Sequence, residues 1–241
     1  MSTILPTARL GVILSSGNRT VEPYFRTFAP RGLGIHVTRM QMGSGGRRPS
    51  DDIRGDAIAC AELLADAGVD VIDLQATGIM MERGPEGEAD IVRAIAEATG
   101  IPTFTATQAV VESLQALAIE RVILIHPLDE AAFGRERIYL EAAGFTVAHA
   151  AGLGLGEGSA LLAPAEWVAA AQAHDREDGD GFFLSGSYTT MLEGIAPIEE
   201  KLSKPVVTSI QAALWAGIRR LASKVGEYQP PPELGRLFEK S

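Results

Sequence analysis

The chain writes one phrase twice. "DVIDLQATGIMM" (70–81) and "DGFFLSGSYTTM" (180–191) each run from an apolar strand into small, hydroxyl-bearing residues. Setting Val71 over Gly181 aligns Leu74 with Leu184, Thr77 with Ser187 and Met81 with Met191, an offset of 110. "VIL" at 12–14 recurs at 122–124 with the same offset. "PTFTATQA" (102–109) and "PVVTSIQA" (205–212) share Pro, Thr, Gln and Ala at an offset of 103. Three anchors in one order, at nearly one spacing, point to an internal duplication.

What is duplicated follows from periodicity. Short Val/Ile-rich runs at 9–14, 35–42, 69–74 and 101–106, and again at 121–126, 145–150, 181–185 and 204–209, read as strands. Helical stretches at 20–27, 52–67, 86–98, 130–143, 164–174, 192–201 and 211–224 fill the intervals. Strands alternating with helices imply parallel sheets with right-handed crossovers and both faces covered. The fold class is α/β: two pseudo-symmetric, doubly wound parallel-sheet domains. Ligands of open α/β sheets bind beyond the carboxyl ends of the strands. The doubled strand end is therefore read as one pocket in the cleft, lined from two sides, with Ala76 and Gly186 facing each other across it.

Composition narrows the partners. A net charge of −10 opposes nucleic-acid binding, since phosphate contacts need clustered Lys and Arg. No apolar run is long enough to span a membrane, and "MSTILPTARLGVIL" lacks the basic start and cleavage site of a signal peptide. The single cysteine, Cys60, excludes an internal disulfide. A cytoplasmic protein is expected, with a small-molecule ligand and no partner among nucleic acids or membranes.

The polar residues at the strand ends are the candidate site. After the first strand, Ser15 and Asn18 precede a helix start, which favours anions, and an Asn amide can donate to a carboxylate. Thr77, Ser185, Ser187, Tyr188 and Thr189 bring hydroxyls, and the backbone around Gly78 and Gly186 brings N–H groups for an oxyanion. Plain helix capping by Ser and Thr is the competing reading, preferred for Thr190. Among four histidines, His126 alone ends a strand at the pocket, at the place Ser16 holds in the first half under the 110 offset. With Ser187 it is the candidate catalytic residue, its ordinary pKa near 6.5 suiting proton exchange. His36, His149 and His174 lie elsewhere. Cys60, in "AIACAELLADAG", reads as an inert core residue. "GLGLGEGS" (152–159) reads as a flexible lid, and "GSGGRRPS" (43–50) as a solvated turn carrying Arg47 and Arg48. No spacing makes a metal site, and no cofactor is expected.

"LGVILSSGNRTVEP", "GVDVIDLQATGIM", "IPTFTATQAVVESLQALAIERVILIHP" and "DGFFLSGSYTTM" followed by "KPVVTSIQAALW" resemble the Asp/Glu racemase superfamily. The branch they resemble most, as does the ending "GRLFEKS", is that of maleate cis-trans isomerase and arylmalonate decarboxylase. The resemblance implies a cofactor-independent site in the cleft and a C-terminal segment returning to the first domain. The domains are then 1–107 plus 208–241, and 108–207. It also implies a catalytic cysteine after each of the two strands, at positions held here by Ala76 and Gly186. A family tyrosine is matched by Leu128, while Asn18 and Thr77 keep the family's asparagine and hydroxyl. A thiol can be tuned to a thiolate near neutrality, whereas an alcohol needs an adjacent base. Two-thiol racemisation is thus closed to this chain. The expectation is a cofactor-free enzyme on a small carboxylic acid, a decarboxylase or cis-trans isomerase, and a homo-oligomer. The alternatives are a hydroxyl- or His-based hydrolase or hydratase, or an inactive protein that binds small acids.

Overall fold

The computed structural model describes residues 5–42 and 53–240. The turn at 43–50 with Arg47 and Arg48 lies outside the described residues. Strands β1 (Ala8–Ser15), β2 (Leu33–Met40), β3 (Val71–Gln75) and β4 (Thr103–Thr105) form one parallel sheet in the order β2-β1-β3-β4. Strands β5 (Arg121–His126), β6 (Thr146–Gly152), β7 (Gly181–Leu184) and β8 (Val206–Thr208) form a second, β6-β5-β7-β8, also parallel. The two orders are identical when the second set is renumbered from one. Every residue of β3 and β7 is buried, so β7 reads as a continuous apolar run, whereas β3 carries Asp73 and Gln75 inside the fold.

Helices cover both sheets: α1 (Val21–Phe28), α2 (Ile53–Asp66), α3 (Thr77–Thr99), α4 (Ala106–Ala116), α5 (Glu130–Ala142), α6 (Pro164–His174), α7 (Ile195–Leu202) and α8 (Ser209–Arg220). The repeated Thr and Gln of the third anchor now have a physical reason. Thr105 Oγ1 accepts from Gln108 N at 3.0 Å, and Gln108 Oε1 accepts from Thr105 N at 3.2 Å. Thr208 and Gln211 make the same reciprocal pair at 3.1 Å each. These capping boxes start α4 and α8 and satisfy N–H groups that a helix start leaves unpaired. Both helices run directly from their strands and pack against each other at the seam between the halves. The periodicity reading lacked α4, although its repeat partner announced it.

Register corrects one equivalence. Ile72 pairs with Thr103 and Phe182 with Val206, in step with both offsets. Val12 pairs with Asp73, however, while Val122 pairs with Gly181. The "VIL" match is thus out of step by two residues against β3 and β7. His126 does not hold the place of Ser16: it lies just past the Ile125–Leu184 pair, beside Ser185, inside the sheet. A two-residue slip preserves which face a side chain takes, so the match looked sound from the letters.

A second difference concerns α3. The sequence reading began a helix at Glu86, but helix begins at Thr77, and only Gly84 (φ 72°, ψ 174°) breaks it before Pro85. Thr77 and Gly78 therefore sit in a first helical turn. Beyond α8 the chain touches both halves. Tyr228 Oη donates to Phe28 O at 2.6 Å, while within α8 itself Gly217 packs against Leu10 of β1. Gln211 Nε2 donates to Leu234 O at 2.7 Å, and Arg236 N donates to Glu199 Oε2 of α7 at 2.9 Å.

Candidate functional site

The loop after β1 reaches the loop after β7. Asn18 Nδ2 donates to Ser187 O at 2.7 Å, and Thr20 Oγ1 donates to the same oxygen at 2.9 Å. Asn18 Oδ1 accepts from Thr20 N and Val21 N, at 3.0 Å each, so this asparagine also caps α1. Ser15 O accepts from Asn18 N at 3.0 Å, closing the turn. Tyr188 Oη accepts from Arg19 Nε at 2.5 Å. Ser15, Asn18, Ser187 and Tyr188 thus come together from opposite halves, with the Asn18 amide engaged by backbone.

At the end of β3, Ala76 (φ −141°, ψ 51°) precedes α3 and offers no side-chain cap. The first N–H groups of a helix lack intrahelical partners, so the turn at Thr77–Gly78 is a donor-rich edge. Thr77 is buried, its Oγ1 without a hydrogen bond among the described residues, while its carbonyl accepts from Thr107 Oγ1 at 3.3 Å. Beneath it, Gln75 and Asp73 share one face of β3. Among the described residues no group stands in hydrogen-bond geometry with either Asp73 oxygen or with the Gln75 amide, although the two side chains are neighbours. Burial pushes the Asp73 carboxyl up to about 8, partly offset by the neighbouring Gln75 amide and the Arg220 charge.

The end of β7 is built differently. Gly186 has φ 126°, a region L side chains avoid, and its N–H donates to Ser209 Oγ at 3.2 Å. Thr189 Oγ1 donates to Gly186 O at 3.2 Å, so Thr189 braces the turn. Ser185 is fully buried and donates from Oγ to Glu136 Oε1 of α5 at 2.7 Å. His126 Nδ1 accepts from Leu128 N at 3.0 Å, which places the imidazole hydrogen on Nε2. That nitrogen lies 3.5 Å from Glu136 Oε1. Burial pulls His126 down to about 4, with Asp129 raising it and Arg135 lowering it. Burial pushes Glu136 up to about 8, against the Ser185 hydrogen bond and the Arg135 charge.

At neutral pH, then, His126 is uncharged with both nitrogens facing protein groups, and Glu136 carries a proton. Ser185 serves Glu136 rather than an open pocket. Sequence reasoning missed Glu136. Its one available signal was an acid three and four residues before Tyr139 and Leu140, on the buried stripe of α5. Glu88 of α3 was missed in the same way: it accepts from Thr105 Oγ1 and Tyr139 Oη, joining the halves, and burial raises its pKa.

The remaining candidates lie apart. Leu153, Gly154 and Leu155 donate their N–H groups to His126 O, Leu128 O and Pro127 O at 2.9, 3.1 and 2.8 Å. The start of "GLGLGEGS" is thus anchored along the loop after β5, and a Cβ on Gly152 would meet Leu128 O at 2.5 Å. Cys60 sits buried in α2, in the core beneath the first sheet, where burial raises its thiol pKa. His149 and His174 stack on each other at 5.3 Å between ring centroids, away from the strand ends. Grooves of about 580 and 590 Å³ lie at the amino ends of β5 and β6 and beside the last turns of α4 and α8. Neither contains a candidate residue, and α/β sheets bind ligands at the other end. Among the described residues no helix is long and apolar enough to cross a membrane, and no three acidic, His or Cys side chains form a metal cluster.

With two mirrored sheets and their strand ends joined, the comparisons with known proteins fall into place. The family model described as arylmalonate decarboxylase matches residues 11–238, and the chain belongs to that family. The arylmalonate decarboxylase of Bordetella bronchiseptica is 30% identical over 219 residues, covering 89% of this chain and 87% of its own. The maleate isomerase of Nocardia farcinica is 28% identical over 244 residues, 96% of each chain. A cysteine-to-serine variant of the Nocardia enzyme, solved with a covalently bound succinylcysteine intermediate, superposes with a TM-score of 0.81 at 24% identity, covering 89% of this chain and 93% of that one. A cysteine-to-alanine variant of maleate isomerase from Pseudomonas putida S16, solved with maleate, gives a TM-score of 0.87 at 22% identity, over 97% and 98% of the two chains.

Proposed function

We propose that this chain is a cofactor-independent decarboxylase of a small dicarboxylic acid, acting between its two halves without a thiol. The observation that carries the reading is the joining of the two strand-end loops, Asn18 and Thr20 to Ser187, in a member of the arylmalonate decarboxylase family. A substrate carboxylate takes the place of the Ser187 carbonyl on Asn18, so the cleft opens by releasing those two hydrogen bonds. Ser15, Thr77 and the N–H groups at Gly78 complete the cradle, with Tyr188 at its rim. The domains move as 1–107 plus 208–241 against 108–207.

Decarboxylation is favoured over isomerisation by the fate of the cysteines. A covalent cysteine adduct belongs to the Nocardia maleate isomerase, and here Cys60 is locked in the core of α2. Loss of a carboxyl group needs only a stabilised carbanion and a proton donor. The second reading, a binding protein that has lost turnover, is favoured by one observation: Ala76 and Gly186 leave both family thiol positions without a reactive atom.

A panel of substituted malonates, with maleate alongside, separates the readings when followed by NMR for product and by thermal unfolding for binding. Turnover of a malonate together with a raised Tm is expected. Ligand at 100 times Kd stabilises the native state by about 2.7 kcal/mol. A raised Tm with no turnover of any acid would leave the binding reading in its place.

A further inference from the structure

We propose that Glu136 is the proton donor of this site, standing in for the thiol absent at Gly186. The inference rests on the decarboxylase reading and gives it the acid it lacks. Three observations meet at this carboxyl. It lies at the end of β7, hydrogen-bonded through Oε1 to Ser185, the residue immediately before Gly186. Its other oxygen, Oε2, is buried and has no hydrogen-bond partner among the described residues. Two donors, Ser185 Oγ–H at 2.7 Å and the Nε2–H of His126 at 3.5 Å, converge on Oε1.

The hydrogen-bond roles then locate the proton. With Oε1 accepting from Ser185 and facing the imidazole N–H, the hydrogen of the neutral carboxyl belongs on Oε2, where nothing among the described residues accepts it. A buried donor without an acceptor is costly, and a group that engages it on binding removes that cost. The neutral state at rest is what burial dictates. The charged groups around it are few: Arg135 on its own helix, which faces Glu82 of α3 at 3.9 Å, and Asp129 before the helix, which acts on His126. Glu88 of α3, which meets α5 one turn along at Tyr139, is occupied by Thr105 and Tyr139 and is not in competition.

The step balances without a co-reactant. The bond between the α-carbon and one carboxylate breaks, carbon dioxide leaves, and the electron pair stays on the remaining acid as an enediolate. A C–H bond forms as Oε2–H gives up its proton, and Glu136 becomes a carboxylate. The negative charge then appears on a group toward which Ser185 and His126 already point donors, so the environment stabilises the state that turnover creates. Water returns the proton. His126, held by the Leu128 N–H, is a positioning residue here and carries no proton to substrate.

The test is decarboxylation of a malonate by the whole protein and by Glu136→Gln, with rate measured against pH. The amide keeps an acceptor for Ser185 but has no acidic proton, and the rate is expected to fall on the order of 100-fold or more. The Tm shift by an unreactive acid is expected to stay. The parent rate should fall tenfold per pH unit above about 8. Ser185→Ala, which removes a donor to the anion, should move that limb to higher pH, an effect that a structural role would not produce. A Glu136→Gln protein as fast as the parent, or a parent profile flat through pH 8 to 10 and unmoved by Ser185→Ala, would overturn the assignment. A parent that turns over no acid at all fails earlier, and takes the decarboxylase reading with it.

Discussion

Gln75 and Ser185 stand at the same place in two copies of one strand, and the acids near them have opposite fates. In the first half, Asp73 lies on the face of β3 with Gln75, and neither side chain has a partner in hydrogen-bond geometry among the described residues. In the second half, the position matching Asp73 is Phe183, and the acid comes instead from α5, as Glu136 hydrogen-bonded to Ser185. Burial drives both carboxyls to about 8, so both are neutral at physiological pH. One has two donors, Ser185 and His126, converging on one oxygen, whereas the other has only the neighbouring Gln75 amide and the Arg220 charge to temper its ionisation. Burial acts alike on both, yet the surroundings differ: a strand acid beside one amide, and a helix acid on which a hydroxyl and an imidazole N–H converge.

The largest consequence is in stability against pH. Each carboxyl has a folded-state pKa above its unfolded value near 4, so the native state keeps a proton that the unfolded chain has lost. Stability is fully present below pH 4 and falls as pH rises toward 8, by about 1.4 kcal/mol per pH unit for each group. His126, depressed to about 4, works oppositely, costing stability as pH falls below 6.5. Between 6.5 and 8 this histidine is silent and the two acids act together. Urea midpoints measured there should decline with pH, and Asp73→Val should remove one proton's share of that slope. An unchanged slope would mean Asp73 is not neutral in the fold.

Substitution sharpens the contrast by sign. At pH 8, Asp73→Val removes an unpaired carboxyl and should stabilise by roughly 1–3 kcal/mol. Glu136→Met strands the Ser185 hydroxyl and the His126 N–H, and should destabilise by a similar amount. Both changes acting in the same direction in denaturant titrations would erase the distinction drawn between the halves.

The vacated thiol positions differ as well. Ala76 has negative φ, so Ala76→Cys should fold with little change. Gly186→Cys must hold a side chain at φ 126° with Thr189 Cγ2 3.1 Å from its Cβ, and should lose about 1–3 kcal/mol. Equal thermal stability of the two variants would show that the turn at Gly186 relaxes freely. The smallest effect is expected at the loop that ties the halves. Asn18→Ala removes the cap of α1 and the bond to Ser187 O, for about 1 kcal/mol, and should also weaken the Tm shift given by a bound acid.

Much of the architecture was legible because duplication is a pattern in letters. The Val71–Gly181 and Pro102–Pro205 matches proved to be paired strands and twin capping boxes in register. The "VIL" match failed at the level of register, since a slip of two keeps the apolar face and leaves no trace in hydrophobicity. That slip set His126 inside the sheet. Asn18 was read as a carboxylate donor and is found engaged by α1 and Ser187, a partnership across 169 residues that no local pattern announces. Glu136 was illegible for a related reason: an acid on a helix reads as solvent-facing until its partners, Ser185 and His126, arrive from other strands.

The central claim is that a member of this family works on a small acid with no sulfur in its site. Cys60 is the sole cysteine and is sealed in the core, so Cys60→Ala leaves a chain without any thiol. The direct measurement is malonate decarboxylation by that variant beside the parent, with thermal unfolding confirming that both are folded. An undiminished rate is predicted. A folded Cys60→Ala protein without activity, paired with a parent that a thiol reagent inactivates and a substrate-like acid protects, would contradict the account.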